Sequence, residues 1–285
     1  MIPHDNLYRL DNGTLSFAVN AQHGARITSL RFNDIELLTQ PEDHPQNHGS
    51  TLWYAPQSHW HWPPPVALDT APYDVKSDSG QLTLTSAADS ASGLQFIKRF
   101  RLHDKPCHLE LEYIIRNTAA HPVTAGAWEL TRMPGGLTFF PSPSVAARLQ
   151  STLPDVQIIN AMTWYTMNKT TLPVSAKAFF DVDQHLSQAW LASVTAQRLM
   201  LVKSFPVLRP ENYSDGHAAI EVYGHEQGAY VELENHGPRT QLEPDAALSH
   251  VVRWHVQAIP DDVEVRAGNR LLVEFAQALI NTKNS

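Results

Sequence analysis

The feature that most constrains this chain is an apolar/polar alternation of period two, which recurs from end to end. Leu15, Phe17 and Val19 alternate just after Asp11-Asn12-Gly13, a turn signal that predicts an N-terminal hairpin. Ile27, Leu30 and Phe32 follow, then Leu82 with Leu84, Leu94 with Phe96, Phe100 with Leu102, and the row Leu109, Leu111, Tyr113, Ile115. Later candidate strands are 124–131, 174–180, 190–194, 199–203, 218–223, 229–234 and 249–258. A parallel sheet would need crossover helices of about 10–15 residues between such strands, and the pattern offers none. One helix is expected, over 269–281, where Leu271, Leu272, Phe275, Ala278 and Leu279 form a stripe. So many strands would leave long bare edges unless two sheets face each other. The expected fold is therefore all-β: a large antiparallel sandwich in one domain, 1–285, with the helix packed outside a sheet. No composition break, linker or internal repeat divides the chain.

With 42% hydrophobic and 18% charged residues, the chain has material for a core, which excludes disordered, collagen-like and coiled-coil classes. A net charge of -8 and a pI near 6.0 give no electrostatic grip on phosphate backbones, so no nucleic-acid partner is expected. The single cysteine, Cys107, excludes an internal disulfide and a Cys-based zinc site, and reads as a small apolar side chain. No apolar run approaches the roughly 18 residues that span a bilayer, so no membrane partner is expected. The opening Met1-Ile2-Pro3-His4-Asp5-Asn6 lacks a basic patch followed by an apolar core. The expected location is the cytoplasm, or the periplasm where a leader has been removed. G-x-S-x-G, P-loop and G-x-G-x-x-G motifs are missing. Asn168-Lys169-Thr170 and Asn212-Tyr213-Ser214 are formal glycosylation acceptors without meaning in a bacterial cytoplasmic protein.

Residues 41–72 are rich in His, Pro, Gln and Trp and lack strand alternation, which predicts an ordered loop laid over the sandwich face. Three of the seven tryptophans lie there, Trp53, Trp60 and Trp62, beside Gln57, His59 and His61. An indole offers a flat apolar face and one N–H donor, which suits a sugar ring with C–H groups on one side and hydroxyls at the rim; the plainer reading is a core plug at the sandwich end. His59 and His61 have the i, i+2 spacing of half a metal site. The run Pro63-Pro64-Pro65 breaks the strand such a site needs, and no carboxylate follows until Asp69, so no metal is expected. Glu232 and Glu234 share a strand face. That face either points to solvent or, with Tyr230 and His236, lines a polar cleft where desolvation raises a carboxyl pKa and makes it a base. Glu129 and Arg132, three positions apart, fall on opposite faces of a regular strand, so one of them can face the cleft. Lys203, Glu221 and Tyr223 read as solvated strand positions.

Together the segments resemble the galactose mutarotase-like (aldose 1-epimerase-like) superfamily. Gly24-Ala25-Arg26-Ile27-Thr28-Ser29-Leu30 followed by Ile35-Glu36-Leu37-Leu38 is similar to its opening, and Glu234-Asn235-His236, Leu242-Glu243-Pro244-Asp245 and His250-Val251-Val252-Arg253-Trp254 to its close. The W-x-x-P-Q-x-x-W-x-W-P-P run from Trp53 to Pro64 is similar to a bacterial branch of the superfamily, a domain of unknown function. The resemblance spans roughly residues 5–260 and rests on the order of its motifs.

This resemblance implies a β-supersandwich with a sugar cleft on one sheet's concave face and no cofactor. It implies a late-strand glutamate that takes the anomeric proton, here Glu234, or Glu232 if the register shifts by two. The family's L-T-N-H acid motif reads Leu130-Thr131-Arg132-Met133, which lacks the histidine. An arginine holds its proton at any useful pH, so Arg132 is expected to bind a sugar hydroxyl or carboxylate, and His59 or His61 to supply the acid. Trp53, Gln57, Trp60, Trp62, Glu129, Arg132, Lys203 and Glu232 are the expected substrate-binding residues. The expected partner is a monosaccharide or sugar acid. The expected activity is ring opening of a free aldose by general acid/base catalysis. The alternatives are a carbohydrate-binding protein without turnover and a polysaccharide lyase or glycoside hydrolase on the same sandwich. All of this requires residues 49–65 to fold over the strand bearing Glu234 and enclose a hollow.

Overall fold

The computed structural model describes residues 7–78, 80–142, 150–167, 172 and 174–281. Two antiparallel sheets, of eleven and ten strands, lie face to face. The first sheet runs from the N-terminal hairpin Leu7–Asp11 and Leu15–Asn20 through Arg26–Phe32 and Ser50–Ala55 to Val123–Met133. It continues through Val231–His236, Ile220–Gly224 and Ala176–Phe180 to an edge at Gln150–Ser151. The second sheet has Ala247–Ala258 at its centre, between Leu199–Phe205 and the long hairpin Leu94–Asp104/Cys107–Asn117. The alternation survives in that hairpin: Phe96, Phe100, Leu109, Leu111, Tyr113 and Ile115 are buried between the sheets while their neighbours point outward.

The helix spans Arg270–Ile280, with the Asn269 side chain capping it by accepting from the Leu271 backbone N–H. It lies against the outer face of the second sheet, where Leu272 and Ala276 pack with Phe139, Trp190, Met200 and Val202. Leu271, expected on the buried stripe, is exposed, as is Ala278; the packed face is rotated toward Leu272, Phe275, Ala276 and Leu279.

The segment 41–72 differs from its expected form. Its middle, Ser50–Ala55, is a strand in the interior of the first sheet, hydrogen-bonded to Val123–Met133 in the register Trp53↔Trp128 and Thr51↔Leu130. All six residues are buried. A strand covered on both faces has no polar side to display, so period-two reading fails on it. Downstream comes a loop that carries Trp60 and Trp62 and ends in the helical turn Val66–Asp69. The acceptor sequence at Asn168 falls outside the described residues.

The solvated reading of Lys203 and Glu221 is corrected as well, since both are 0% exposed. Lys203 points from the second sheet into the gap and pairs with Glu129. Its ammonium also donates to Thr131 Oγ1 at 3.0 Å and the Leu233 carbonyl at 2.7 Å. Glu129 accepts from Ser50 and Thr131 on one oxygen and from Asn235 on the other. His250 closes the network on Asn235 at 2.7 Å, its pKa pushed down to about 3 by burial. Glu129 and Lys203 are thus a fully satisfied internal ion pair on the reverse of the face that bears Glu234. Removing one partner strands the other charge without water. Lys203→Met is expected to cost on the order of 3–5 kcal/mol in urea denaturation, with part recovered in the Lys203→Met/Glu129→Gln double variant; equal stability of Lys203→Met and the parent would contradict this.

Candidate functional site

The central strands of the first sheet display one row of polar residues on the face turned away from the second sheet. Arg132 lies opposite Glu232, and Trp128 opposite His236. Glu234 lies opposite Glu221, and Glu232 opposite Tyr223, which in turn pairs with Lys177. The period-two rule thus puts Trp53, Trp128, Arg132, Glu232, Glu234, Glu221, Tyr223 and Lys177 on a single surface.

A cavity of about 310 Å³ opens above this row. Its apolar walls are Trp53, Trp62, Trp128, Tyr223 and Tyr230; its polar groups are Asn47, Gln57, Lys177 and Glu232. The indoles form an edge-to-face cluster, with Trp53 ring centres 5.1 Å from Trp128 and 5.6 Å from Trp62. The Trp53 N–H is held by Asp69 at 2.8 Å, which fixes that ring's orientation. Asn47 donates to the Tyr230 hydroxyl at 3.1 Å.

Beneath the cavity, Glu234 is completely buried. One of its oxygens accepts from the Trp128 indole at 2.6 Å and from Lys177 at 2.9 Å; the other has no hydrogen-bond partner among the described residues. Burial pushes the Glu234 pKa up to about 8; Lys177 opposes the rise, and the Glu221 and Glu232 charges add to it. Glu221 moves the other way: burial disfavours its charge, but His236, Lys177 and a hydrogen bond from His217 outweigh that and hold it well below the usual carboxylate range. Burial also works against the Lys177 ammonium, yet Glu234 and Glu221 together raise its pKa. Two carboxylates and one ammonium therefore share about one proton near neutrality, and Glu234 is the carboxyl that holds it.

Glu232 reaches the cavity while its Oε1 accepts from Arg132 Nε at 2.7 Å. The Arg132 guanidinium is wholly buried between Trp53 and Tyr230, 5.5 and 5.9 Å from the ring centres, and its two terminal nitrogens have no hydrogen-bond partner among the described residues.

Of the residues expected from sequence, Trp53, Gln57, Trp62 and Glu232 line the cavity, and Glu234 and Arg132 form the layer below. Trp60 is buried beside them, its N–H bonded to the Tyr54 carbonyl at 2.9 Å and its ring 5.7 Å from Trp53. His59 and His61 are not brought to Glu234; they line a separate depression with Asp89, Ser92 and Thr124. Glu129 and Lys203 face the sandwich interior. Sequence reasoning missed Trp128 and Lys177 as site residues. Their signal was parity: Trp128 is an even step from Arg132, and Lys177 is the charged residue on the less buried face of the alternating strand Ala176–Phe180.

His217, Glu221 and His236 bring three possible metal-ligand atoms within 4.8 Å. Glu221 already carries the Lys177 ammonium on one oxygen. His217 gives its Nδ1–H to the other oxygen at 2.9 Å and its Nε2 lone pair to the Gln57 backbone N–H at 3.4 Å. Ligation through Nδ1 would require a proton on Nε2, against that N–H. The cluster fits a hydrogen-bonded relay better than a cation.

Two large antiparallel sheets with a single C-terminal helix match the galactose mutarotase-like sandwich. The chain matches the model of the family DUF4380, a domain of unknown function, over residues 7–257, and it belongs to that family. Among solved structures it is similar to the Slr1438 protein from Synechocystis sp. PCC 6803, at TM-score 0.62 and 15% identity over 89% of this chain and 96% of that one. It is also similar to a galactose mutarotase related enzyme from Lactobacillus acidophilus, at TM-score 0.62 and 13% identity over 91% and 99%. A galactose mutarotase-like protein from Lactobacillus casei ATCC 334 has TM-score 0.58 and 12% identity over 88% and 100%. At these identities the likeness is one of fold. A sequence search of curated proteins finds no match.

The Glu234 pKa yields a signed expectation. A carboxyl raised from about 4.5 to about 8 on folding stabilises the fold only while protonated, so its contribution is lost as pH rises through that window. Glu234→Gln keeps the protonated shape. The stability of this variant relative to the parent should therefore climb by about 2–4 kcal/mol between pH 5 and pH 9, measured by urea denaturation across that range. A flat or falling difference would show that Glu234 is ionised throughout.

Proposed function

We propose that the cavity binds a monosaccharide. The observation that carries this reading is the pairing of indole walls with a small set of hydrogen-bonding groups at one concave site. Trp53, Trp62 and Trp128 offer apolar faces to sugar C–H groups, while Lys177 donates, Glu232 accepts, and Asn47 and Gln57 can do either. The buried Arg132 acts through Glu232: its Nε–H bond to Oε1 holds that side chain in place at the cavity. The charges around the cavity largely cancel, which suits a neutral aldose or a singly charged sugar acid. The galactose mutarotase related enzyme among the structural relatives supports a sugar as ligand.

A second reading, ring-opening isomerisation, is favoured by one observation: a carboxyl with a free oxygen and a pKa of about 8 lies directly under the cavity. Such a group can take up and return a proton at neutral pH. Lys177 is bonded to it and is partly exposed, so it guards the route from the cavity. Only the ionised fraction of Glu234 can accept the anomeric proton, so the step requires that carboxyl to have lost its own proton first and the lysine to swing aside on its four-carbon stem. The cavity-lining residues include no histidine to act as acid, so binding stands ahead of turnover.

Titration with glucose, galactose, glucuronate and galacturonate, followed by tryptophan fluorescence, separates the readings. At least one should quench emission, and Trp62→Ala should weaken it about tenfold, the loss of one aromatic wall. If none alters fluorescence or melting temperature, the sugar proposal fails. Anomer exchange followed by NMR then reads turnover: acceleration abolished in Glu234→Gln supports isomerisation, and binding without acceleration leaves a sugar-binding protein.

A further inference from the structure

A second cluster of chemistry-bearing residues lies on the outer face of the ten-stranded sheet, away from the cavity. In the hairpin Leu94–Asp104/Cys107–Asn117, His103 is directly opposite His108. Their rings stack in parallel, 4.4 Å apart at 3°. Glu110, two residues beyond His108, projects from the same face, and the three residues offer ligand atoms all within 4.8 Å of one another. We propose that His103, His108 and Glu110 form a binding site for one divalent late-transition cation of the Zn2+ type.

Three observations support this. First, His108 Nδ1 lies 2.8 Å from the Pro106 carbonyl oxygen, which can only accept. The ring proton is therefore on Nδ1 and the lone pair on Nε2, the tautomer a metal needs, fixed by the backbone contact usual behind ligating histidines. Second, His103 Nε2 is buried without a hydrogen-bond partner among the described residues. A buried nitrogen left unpaired has a cost that a bound cation would remove. Third, Glu110 is already oriented: Arg253 holds its Oε2 through two nitrogens at 2.9 and 3.0 Å, which leaves Oε1 available.

His255, on the neighbouring strand Ala247–Ala258, stacks on His108 at 5.3 Å. Cys107 is not part of the set, since its sulfur faces Asn12. Two imidazoles and a carboxylate select Zn2+, Ni2+ or Cu2+ over Mg2+ or Ca2+, which prefer all-oxygen shells. Zn–N bonds of about 2.0–2.1 Å place tetrahedral ligand atoms about 3.3 Å apart. The stacked rings must therefore turn about χ2 on loading, which half-buried His103 is free to do. Three protein ligands leave a fourth position for water. The site touches no residue of the cavity, so it stands or falls independently of the sugar reading.

The test is calorimetric titration of the full chain, freed of metal with a chelator, using Zn2+, with Co2+ as a spectroscopic probe. One ion per chain is expected, with a raised melting temperature in excess Zn2+. His103→Asn and His108→Asn should each weaken binding roughly tenfold or more. The exposed-site controls His121→Asn and His185→Asn should leave it unchanged. Absence of Zn2+ uptake, or uptake equal to the parent's in a folded His103→Asn chain, overturns the proposal. Should His108→Asn fail to fold, Co2+ broadening of the ring resonances in the unaltered chain decides: the His103 and His108 signals must be the ones affected, and broadening confined to other histidines overturns the assignment.

Discussion

A charge taken out of water must meet an opposite charge or a set of donors, and the first sheet is organised around that demand. Its two central strands, Val123–Met133 and Val231–His236, carry charged residues on both faces with almost no solvent access. Inside, Glu129 meets Lys203 from the opposing sheet. Outside, Arg132 meets Glu232, and Lys177 bridges Glu221 and Glu234. Each pair costs desolvation free energy that apolar residues would not. The inner pair ties the sheets in one registration, because Lys203 reaches both Glu129 and the Leu233 carbonyl. The outer groups sit where a ligand would meet them.

The cavity follows from this arrangement. With Ser50–Ala55 paired to Val123–Met133, Trp53 falls opposite Trp128, and the following loop returns Trp62 over both. The indoles exclude water from the carboxylates below. That exclusion separates the titration of two neighbouring glutamates, raising Glu234, while the lysine and histidines around Glu221 hold it low. The residues proposed to hold a sugar lie directly against the carboxyl that holds a proton near neutrality. Between them stands the bond from Lys177 to Glu234.

The second sheet shows what the same physics does at a solvent-facing surface. His103, His108 and His255 form a row across three strands in place of the alternating charges found further along, where Glu110 pairs with Arg253 and Glu112 with Arg99. Stacked rings cover the end of the long hairpin there.

Much of this was legible in the residues themselves. Period-two alternation determined an all-β sandwich, because a strand with one wet face must alternate whatever its neighbours are. The apolar stripe placed the helix to within a residue at either end, though the face it buries is rotated from the expected one. The pairing of Glu232 with Glu234 on one face followed from parity alone. Tertiary structure decided the rest. Only strand order shows that Ser50–Ala55 is a central strand, since burial on both sides erased its pattern. Strand order likewise buried Lys203 between the sheets and Glu221 on the opposite, cavity-side face, where in each case a countercharge on another strand offsets burial that no local sequence could license. His59 and His61 seemed to belong with Glu234 because they share its chemistry and lie close to Trp53 in the chain. Their separation from it depends on the path of a proline-rich loop, and the partners that set that path are remote in sequence.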